Sequence, residues 1–434
     1  MGVLLFCPWI MGQDNDTLVN ALEKAYSRNN PEMIFELAEK EYDKDSLPAE
    51  VMFYLGWAHG KRYRFAQSIS LLEKALQRDS SDYRVVQLLG NAYLKTGQSK
   101  KAYDLYLSVY NPESSPLWLS NQLAELSYEL KMYTRASDIY KTLLQEDSLN
   151  YYYHKELGNT LFKMRQNKQA AEAYKQALYL NPNDLSLYNK LGNLYLRMKE
   201  YSTALDFARQ GLERDTTNGQ FLSLLGYACF KMEKYDSSLQ YFSEAIDKGD
   251  TTKFNYKFAG LANFDQKNFD RAVFFLEKAR VRDTLDAQVL FYLGSAQTRN
   301  GQPEVGVDRL FEALRIIYPD KNSLLDMYSE IGSGYLAMDR PKSALHYYRE
   351  AYKVKAEPEL SFQMAHIYDQ KLDEKELALS YYKGYLTMIP ENDSLNTSGL
   401  QGNVLVISRA DFAKKRIREI KEQLFFEGRE DSSK

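Results

Sequence analysis

Few side chains in this sequence are suited to catalysis. There are four histidines, His59, His154, His346 and His366, and no two stand four residues apart, the spacing that lets imidazoles on one helix face share a metal. Of the two cysteines, Cys7 lies in an apolar N-terminal run and Cys229 far from it, so the count supports neither a disulfide framework nor a cysteine metal site. The GxxxxGK[ST] loop that cradles phosphates, a GxGxxG turn after a strand, HExxH and GxSxG are all missing. The histidines therefore read as exposed or half-buried helix residues and Cys229 as a packed thiol. The expectation is a protein that is not an enzyme, with no cofactor and no metal.

Charge excludes a further class. Lys plus Arg (56) nearly balance Asp plus Glu (59), and no long single-sign run precedes the last segment, so nucleic acid is not an expected partner. Residues Gly2 to Gly12 are apolar and uncharged, and Gln13-Asp14-Asn15-Asp16 turns polar at once. Residues 1–12 read as a signal peptide, although the first basic residue is Lys24; the run is too short to span a bilayer. Cys7, between Phe6 and Pro8, does not suit lipoprotein processing.

The elements that must position any site come from a repeat. Gly56, Gly90, Ala124, Gly158, Gly192, Gly226, Gly260 and Gly294 follow one another at 34-residue intervals. Twelve residues after each stands a second small residue, Ser68, Ala102, Ala136, Ala170, Ala204, Ser238, Ala272 or Gly306. Four residues further on, the large residues Leu72, Tyr106, Tyr140, Tyr174, Phe242, Leu276 and Leu310 recur, with Ala208 departing. Two antiparallel helices approach closely only where small residues meet, so each unit predicts a helical hairpin with knob and hole on one face.

Leu89-Gly90-x-x-Tyr93, Leu191-Gly192-x-x-Tyr195, Ala102-x3-Tyr106, Ala170-x3-Tyr174 and Asn181-Pro182 resemble the signature of the tetratricopeptide-repeat (TPR) family. The resemblance implies an all-α, right-handed α-solenoid of ten to eleven helix-turn-helix units. Residues 15–48 read as a degenerate first unit, 49–320 as eight in-phase units and 325–391 as two less regular ones. About four residues are inserted near Tyr318–Lys321, and the tenth unit is one residue too long inside. Residues 392–407 read as a non-repeat loop, 408–427 as a capping helix opened by Ser408 and Asp411, and 428–434 as a disordered tail. In the capping helix, Ala413, Ile417, Ile420 and Leu424 recur at helical spacing, and Lys414, Lys415, Arg416 and Arg418 read as its solvated face.

In this family the first helix of each pair lines the concave face, the usual groove for an extended partner segment. Carried onto this sequence, the lane after the Gly/Ala column holds Trp57, Asn91, Glu125, Asn159, Asn193, Tyr227, Leu261 and Ser295, and the same face four residues earlier holds Lys155 and Asn189. The expected binding residues are Trp57, Asn91, Lys155, Asn159, Asn189, Asn193 and Tyr227, with amides serving a partner's backbone. Lys155-x3-Asn159 resembles half of the carboxylate clamp of chaperone-binding members. The other half departs, with Lys190, Gln220 and Leu224 at its positions.

Asp-[Ser/Thr]-Leu occurs at Asp16, Asp45, Asp147, Asp283 and Asp393; it resembles a bacterial periplasmic O-glycosylation acceptor, while Ser or Thr before a helix is also an ordinary N-cap. The leading expectation is an exported bacterial scaffold of the periplasm or cell envelope that binds a protein or extended peptide. It has no integral membrane segment, and a membrane-associated partner fits. The alternative is a cytoplasmic co-chaperone-like adaptor for C-terminal peptides.

Overall fold

In five of the units a polar residue caps the first helix. Asp82, Asn150, Asp184, Asn218 and Asp286 stand at 34-residue multiples, and each side chain accepts backbone N–H bonds from the helix it precedes, as Asp82 does from Arg84 at 2.8 Å. Such N-caps satisfy donors that a helix start leaves bare. The structure is a computed structural model that describes residues 10–41, 47–316, 321–389, 399–401, 404–406 and 408–431. Residues 1–9, most of the expected leader, lie outside it, and a helix runs from Ile10 to Ser27.

The chain divides into two compact units, residues 1–194 and 195–434. The first is built of the hairpins Ile10–Ser27/Pro31–Glu41, Ala49–Lys61/Phe65–Arg78, Tyr83–Lys95/Ser99–Val109, Leu117–Glu129/Tyr133–Glu146 and Tyr151–Lys163/Asn167–Leu180, and the helix Leu185–Arg197 crosses the boundary. The second holds Tyr201–Arg214, the hairpins Gly219–Lys231/Tyr235–Asp247, Lys253–Asp265/Phe269–Arg282, Ala287–Arg299/Pro303–Ile316, Lys321–Ala337/Pro341–Val354 and Pro358–Gln370/Lys375–Met388, and a last helix Arg409–Asp431. The architecture is all-α, a TPR-type solenoid. Among the described residues its only departure is a two-stranded antiparallel hairpin, Gly399–Gln401 with Val404–Val406, inside the segment read as a loop.

The small columns do the steric work expected of them. A Cβ added at Gly158 would lie 2.5 Å from the Tyr174 ring, at Gly226 2.9 Å from Phe242 and at Gly260 2.6 Å from Leu276, so glycine meets the large residue of the second helix each time. Where the second column carries serine, the hydroxyl is satisfied across the seam: Ser68 Oγ donates to the Gly56 carbonyl at 2.7 Å and Ser238 Oγ to that of Gly226 at 2.9 Å.

A fourth column appears in the turns. Tyr63, Gly97, Lys131, Arg165, Lys199, Glu233, Lys267 and Gly301, again 34 apart, all have positive φ between 58° and 80°. A left-handed residue is needed to reverse the chain in three residues, and glycine supplies it in only two units. The irregular units resolve simply. Lys321–Ala337 has 17 residues where each first helix from Ala49–Lys61 to Ala287–Arg299 has 13, so four inserted residues become helix. The extra residue of the tenth unit enlarges the turn between Gln370 and Lys375.

The last helix corrects two expectations. It continues to Asp431, so residues 428–431 of the expected tail are helical. Arg416 belongs to no solvated face: its guanidinium grips both oxygens of Asp369, at 2.7 and 2.6 Å, and that carboxylate side chain is 2 % exposed. Lys414, Lys415 and Arg418 are exposed. Ser408 and Asp411 do form the expected capping pair, the Asp411 N–H donating to Ser408 Oγ at 3.1 Å and that hydroxyl to Asp411 Oδ2 at 3.0 Å. Ala413 and Ile420 are buried against Tyr382 and its neighbours, with Ile417 and Leu424 beside them.

Candidate functional site

The expected binding lane is largely occupied by the protein itself. Lys155, half-buried on the helix Tyr151–Lys163, donates to Asp184 Oδ2 at 2.7 Å and to Tyr151 Oη at 3.1 Å, while Tyr151 bonds the same carboxylate. Asp184 is also the N-cap of the next first helix, so one carboxylate ties two neighbouring repeats. Burial opposes its ionised form, but bonds from Lys155, Ser186 and Tyr151 outweigh that and hold its carboxyl well below the usual range.

Asn159 is similarly spent. Its Oδ1 accepts from Tyr174 Oη at 2.9 Å and from Lys190, and its Nδ2 donates to Glu156 at 3.0 Å. Asn193, though exposed, gives its Nδ2 to the backbone and side-chain oxygens of Asn189. The departure of the other half of the clamp, expected from Lys190, Gln220 and Leu224, is matched by internal partners for the half that is present. Lys155 and Asn159 hold Asp184 and Lys190 in place of a ligand carboxylate, because an amide or ammonium at a half-buried seam is stabilised by an internal partner. Lys190 itself, pushed down in pKa by burial and by Lys155, reaches Asn159 over the Tyr174 ring.

Trp57 is also withdrawn from the lane. It is 8 % exposed, with Tyr26 packed edge-on at 4.9 Å and Lys61 over its ring, so it serves the seam with the preceding hairpin. Asn91 is exposed, as is Gln87 one turn before it. In the second unit, Tyr227 is half-buried within an aromatic group: Phe254 lies at 5.4 Å, Phe258 at 4.7 Å, and Lys231 stands over the Tyr227 ring at 5.7 Å. Phe254 keeps 38 % of its surface exposed. Leu261 and Ser295, further along the lane, are buried.

The Lys155–Asp184 tie has a counterpart in the second unit, where Lys257 donates to both oxygens of the N-cap Asp286 at 3.0 and 3.1 Å. Both pairs are 29 residues apart and lie three repeats from each other in sequence. Sequence reasoning missed this pin; a lysine three residues before the glycine, followed 29 residues later by an N-cap aspartate, is the signal that could have found it.

The residues first considered for chemistry stand apart from one another, in different repeats. Burial raises the pKa of the Cys229 thiol. His59 packs on Phe35, and burial lowers its pKa; His366 stacks on Phe362; His154 contacts the Ser148 carbonyl; His346 is exposed beside Tyr347. Among the described residues no cluster of His, Cys, Asp or Glu is arranged to hold a metal, and no helix is long and apolar enough to cross a membrane. An open depression of about 510 Å³ is lined by Tyr110, Tyr133, Arg135 and Ile139, and none of the expected binding residues lines it.

Two family models match within this array. One described as "TPR repeat" covers residues 158–199 and one described as "Tetratricopeptide repeat" covers 185–218, which with the repeat columns supports the TPR family. No curated protein matches the chain. Similar solved structures include YrrB, described as a TPR protein with an unusual peptide-binding site; it is 20 % identical over 44 % of this chain and 96 % of its own, with a TM-score of 0.40. A tetratricopeptide repeat protein from Parabacteroides merdae ATCC 43184 is 15 % identical over 60 % of this chain and 98 % of its own, with a TM-score of 0.42. The APC/C hetero-tetramer Cut9–Hcn1 is 12 % identical, covering 93 % and 96 %, with a TM-score of 0.40.

Proposed function

We propose that this chain is a non-catalytic scaffold that holds a partner protein or extended peptide on its first-helix face, as an exported protein of the bacterial periplasm or cell envelope. The observation that carries the binding reading is the aromatic platform of Tyr227, Phe254 and Phe258. It is open enough to receive an apolar side chain, and Lys231 at its rim suits a neighbouring carboxylate. Asn91 and Gln87 offer exposed amides for a partner's backbone. The alternative, a cytoplasmic adaptor for C-terminal peptides, is separated from this reading by localisation.

The test is recovery of tagged protein from its native cells with its partner. Tyr227→Ala with Phe254→Ala should lose that partner, while Lys155→Ala should lower stability and leave the captured partner unchanged in identity. Capture undiminished by the aromatic pair would overturn the platform reading. Export is tested separately by the mass of the recovered chain, which should begin near Gln13; a soluble cytoplasmic chain retaining Met1–Gly12 would refute it.

A further inference from the structure

The outer face of the seventh in-phase repeat departs from its neighbours. At one exposed second-helix position the units carry Ser70, Asp104, Asp138, Glu172, Asp206, Gln240, Phe274 and Asp308. One helical turn pair later they carry Gln77, Asn111, Gln145, Tyr179, Glu213, Asp247, Val281 and Arg315. Only the helix Phe269–Arg282 is apolar at both. Phe274 is 57 % exposed, Val281 70 %, and Leu285 in the following turn 71 %. A single exposed apolar residue is ordinary on any surface, and Tyr179 (79 % exposed) and Leu149 (72 %) occupy the Val281 and Leu285 positions of other repeats, but only this helix and its turn carry apolar residues at all three.

Charge gives the surface a sign. Arg271 and Lys278 are exposed and alternate with the apolar Phe274 and Val281, so that 271, 274, 278 and 281 follow the three- and four-residue spacing of a single helical stripe. Lys278 rests over the Phe274 ring at 5.7 Å and Phe275 meets that ring edge-on at 5.2 Å, so Phe274 is held outward on a packed base. Among the described residues neither Arg271 nor Lys278 forms an ion pair, whereas three other repeats pair the carboxylate at the Phe274 position internally, as Lys100–Asp104, Lys141–Asp138 and Lys175–Glu172. Of the carboxylates on this helix, Glu277 is taken by Arg280, and Asp270 sits in the first turn, where the helix dipole favours it.

We infer that the stripe Arg271–Phe274–Lys278–Val281, with Leu285, is a second docking surface whose partner is an acidic amphipathic helix presenting apolar residues flanked by carboxylates. It lies on the second helix of its pair and is separate from the first-helix platform. Phe274, Val281 and Leu285, seven and four residues apart, fit a partner helix laid along the stripe, and the two unpaired cations choose an acidic one.

The test uses full-length protein and a labelled helix-forming peptide of about eighteen residues, long enough to run ~27 Å along the stripe. Its Leu and Glu repeat at helical spacing. A same-composition scramble, a Lys-for-Glu version and anionic phosphatidylglycerol vesicles are the comparison probes. Phe274→Asp with Val281→Glu places residues used by sister repeats and should keep the parent's helical signal and melting. It should weaken the Glu peptide by about tenfold or more. Lys278→Glu should weaken the Glu peptide and strengthen the Lys version. Equal binding of the scramble, or equal binding of the peptide by parent and double variant, overturns the inference. Loss of vesicle binding in the double variant with no binding of the peptide by the parent would make the stripe a membrane surface instead and equally overturn it.

Discussion

Gly158→Ala tests whether the small column is a steric requirement of the fold. The new methyl would lie 2.5 Å from Tyr174 Cδ1 and 2.6 Å from Cε1. That is roughly 1 Å short of ordinary carbon contact, about 3.5–4.0 Å. Tyr174 is 2 % exposed and its hydroxyl donates to Asn159 at 2.9 Å, so retreat of the ring stretches a bond in the network that also holds Lys190. Overpacking costs about 1–3 kcal/mol, and a compromised hydrogen bond adds about 0.5–1.5 kcal/mol. Better helix propensity of alanine offsets about 0.8–1 kcal/mol. The net expectation is a loss of about 1–3 kcal/mol. Gly384→Ala is the control: it too lies inside a helix, but its Cβ would meet nothing closer than 3.4 Å, so it should gain about 0.5–1 kcal/mol. Urea midpoints by circular dichroism give the sign, and hydrogen exchange of Tyr151–Lys163 gives the locality, since a repeat array can open in parts. In a Tyr174→Ala background the penalty at Gly158 should vanish. A neutral or stabilising Gly158→Ala in the parent would refute the reasoning.

Gly97→Val should cost about 1–2 kcal/mol by thermal melting although a Cβ there touches nothing, because its φ of 74° is the whole penalty. Asp184→Asn should destabilise most at neutral pH. The folded carboxyl is depressed, so its contribution is complete above the unfolded value, about 3.9, and fades as pH falls through the lower folded one. Parent and variant stabilities should therefore converge in acid, and a gap that stays constant below pH ~4 would exclude the Lys155–Asp184 pin as its source. Arg416→Ala strands the buried Asp369 carboxylate and should cost about 3–5 kcal/mol, read as protease release of the last helix, while Lys415→Ala should be silent.

The hairpins were legible because they rest on volume, and volume is written in residue type: glycine opposite Tyr174 or Phe242 has the same meaning in sequence and in space. The lane was legible as a face and illegible as a site. Whether Lys155 meets a ligand or Asp184 depends on the approach of a residue 29 positions away, which no local pattern states. Arg416 illustrates the same limit, since a basic residue on a polar stretch looks solvated until the acid it pairs with, Asp369, is found 47 residues upstream. The turn column hid for the opposite reason. Tyr63, Lys131 and Glu233 share a backbone angle and no side-chain character.

The two irregular repeats show what lengths this chain can absorb. Four residues added ahead of Gly332 wind into Lys321–Ala337 as about 400° of helix, one turn with some 40° to spare, and the glycine still faces Tyr348. One residue added in the tenth unit has no such outlet and is taken up in the reversal, around Asp373 with its φ of 53°. Two extra residues would swing a helix face by about 200° and turn its small column to water. Indels in such an array are therefore rationed by angle: near-whole turns enter helices, single residues enter bends, and the intermediate length has no place to go.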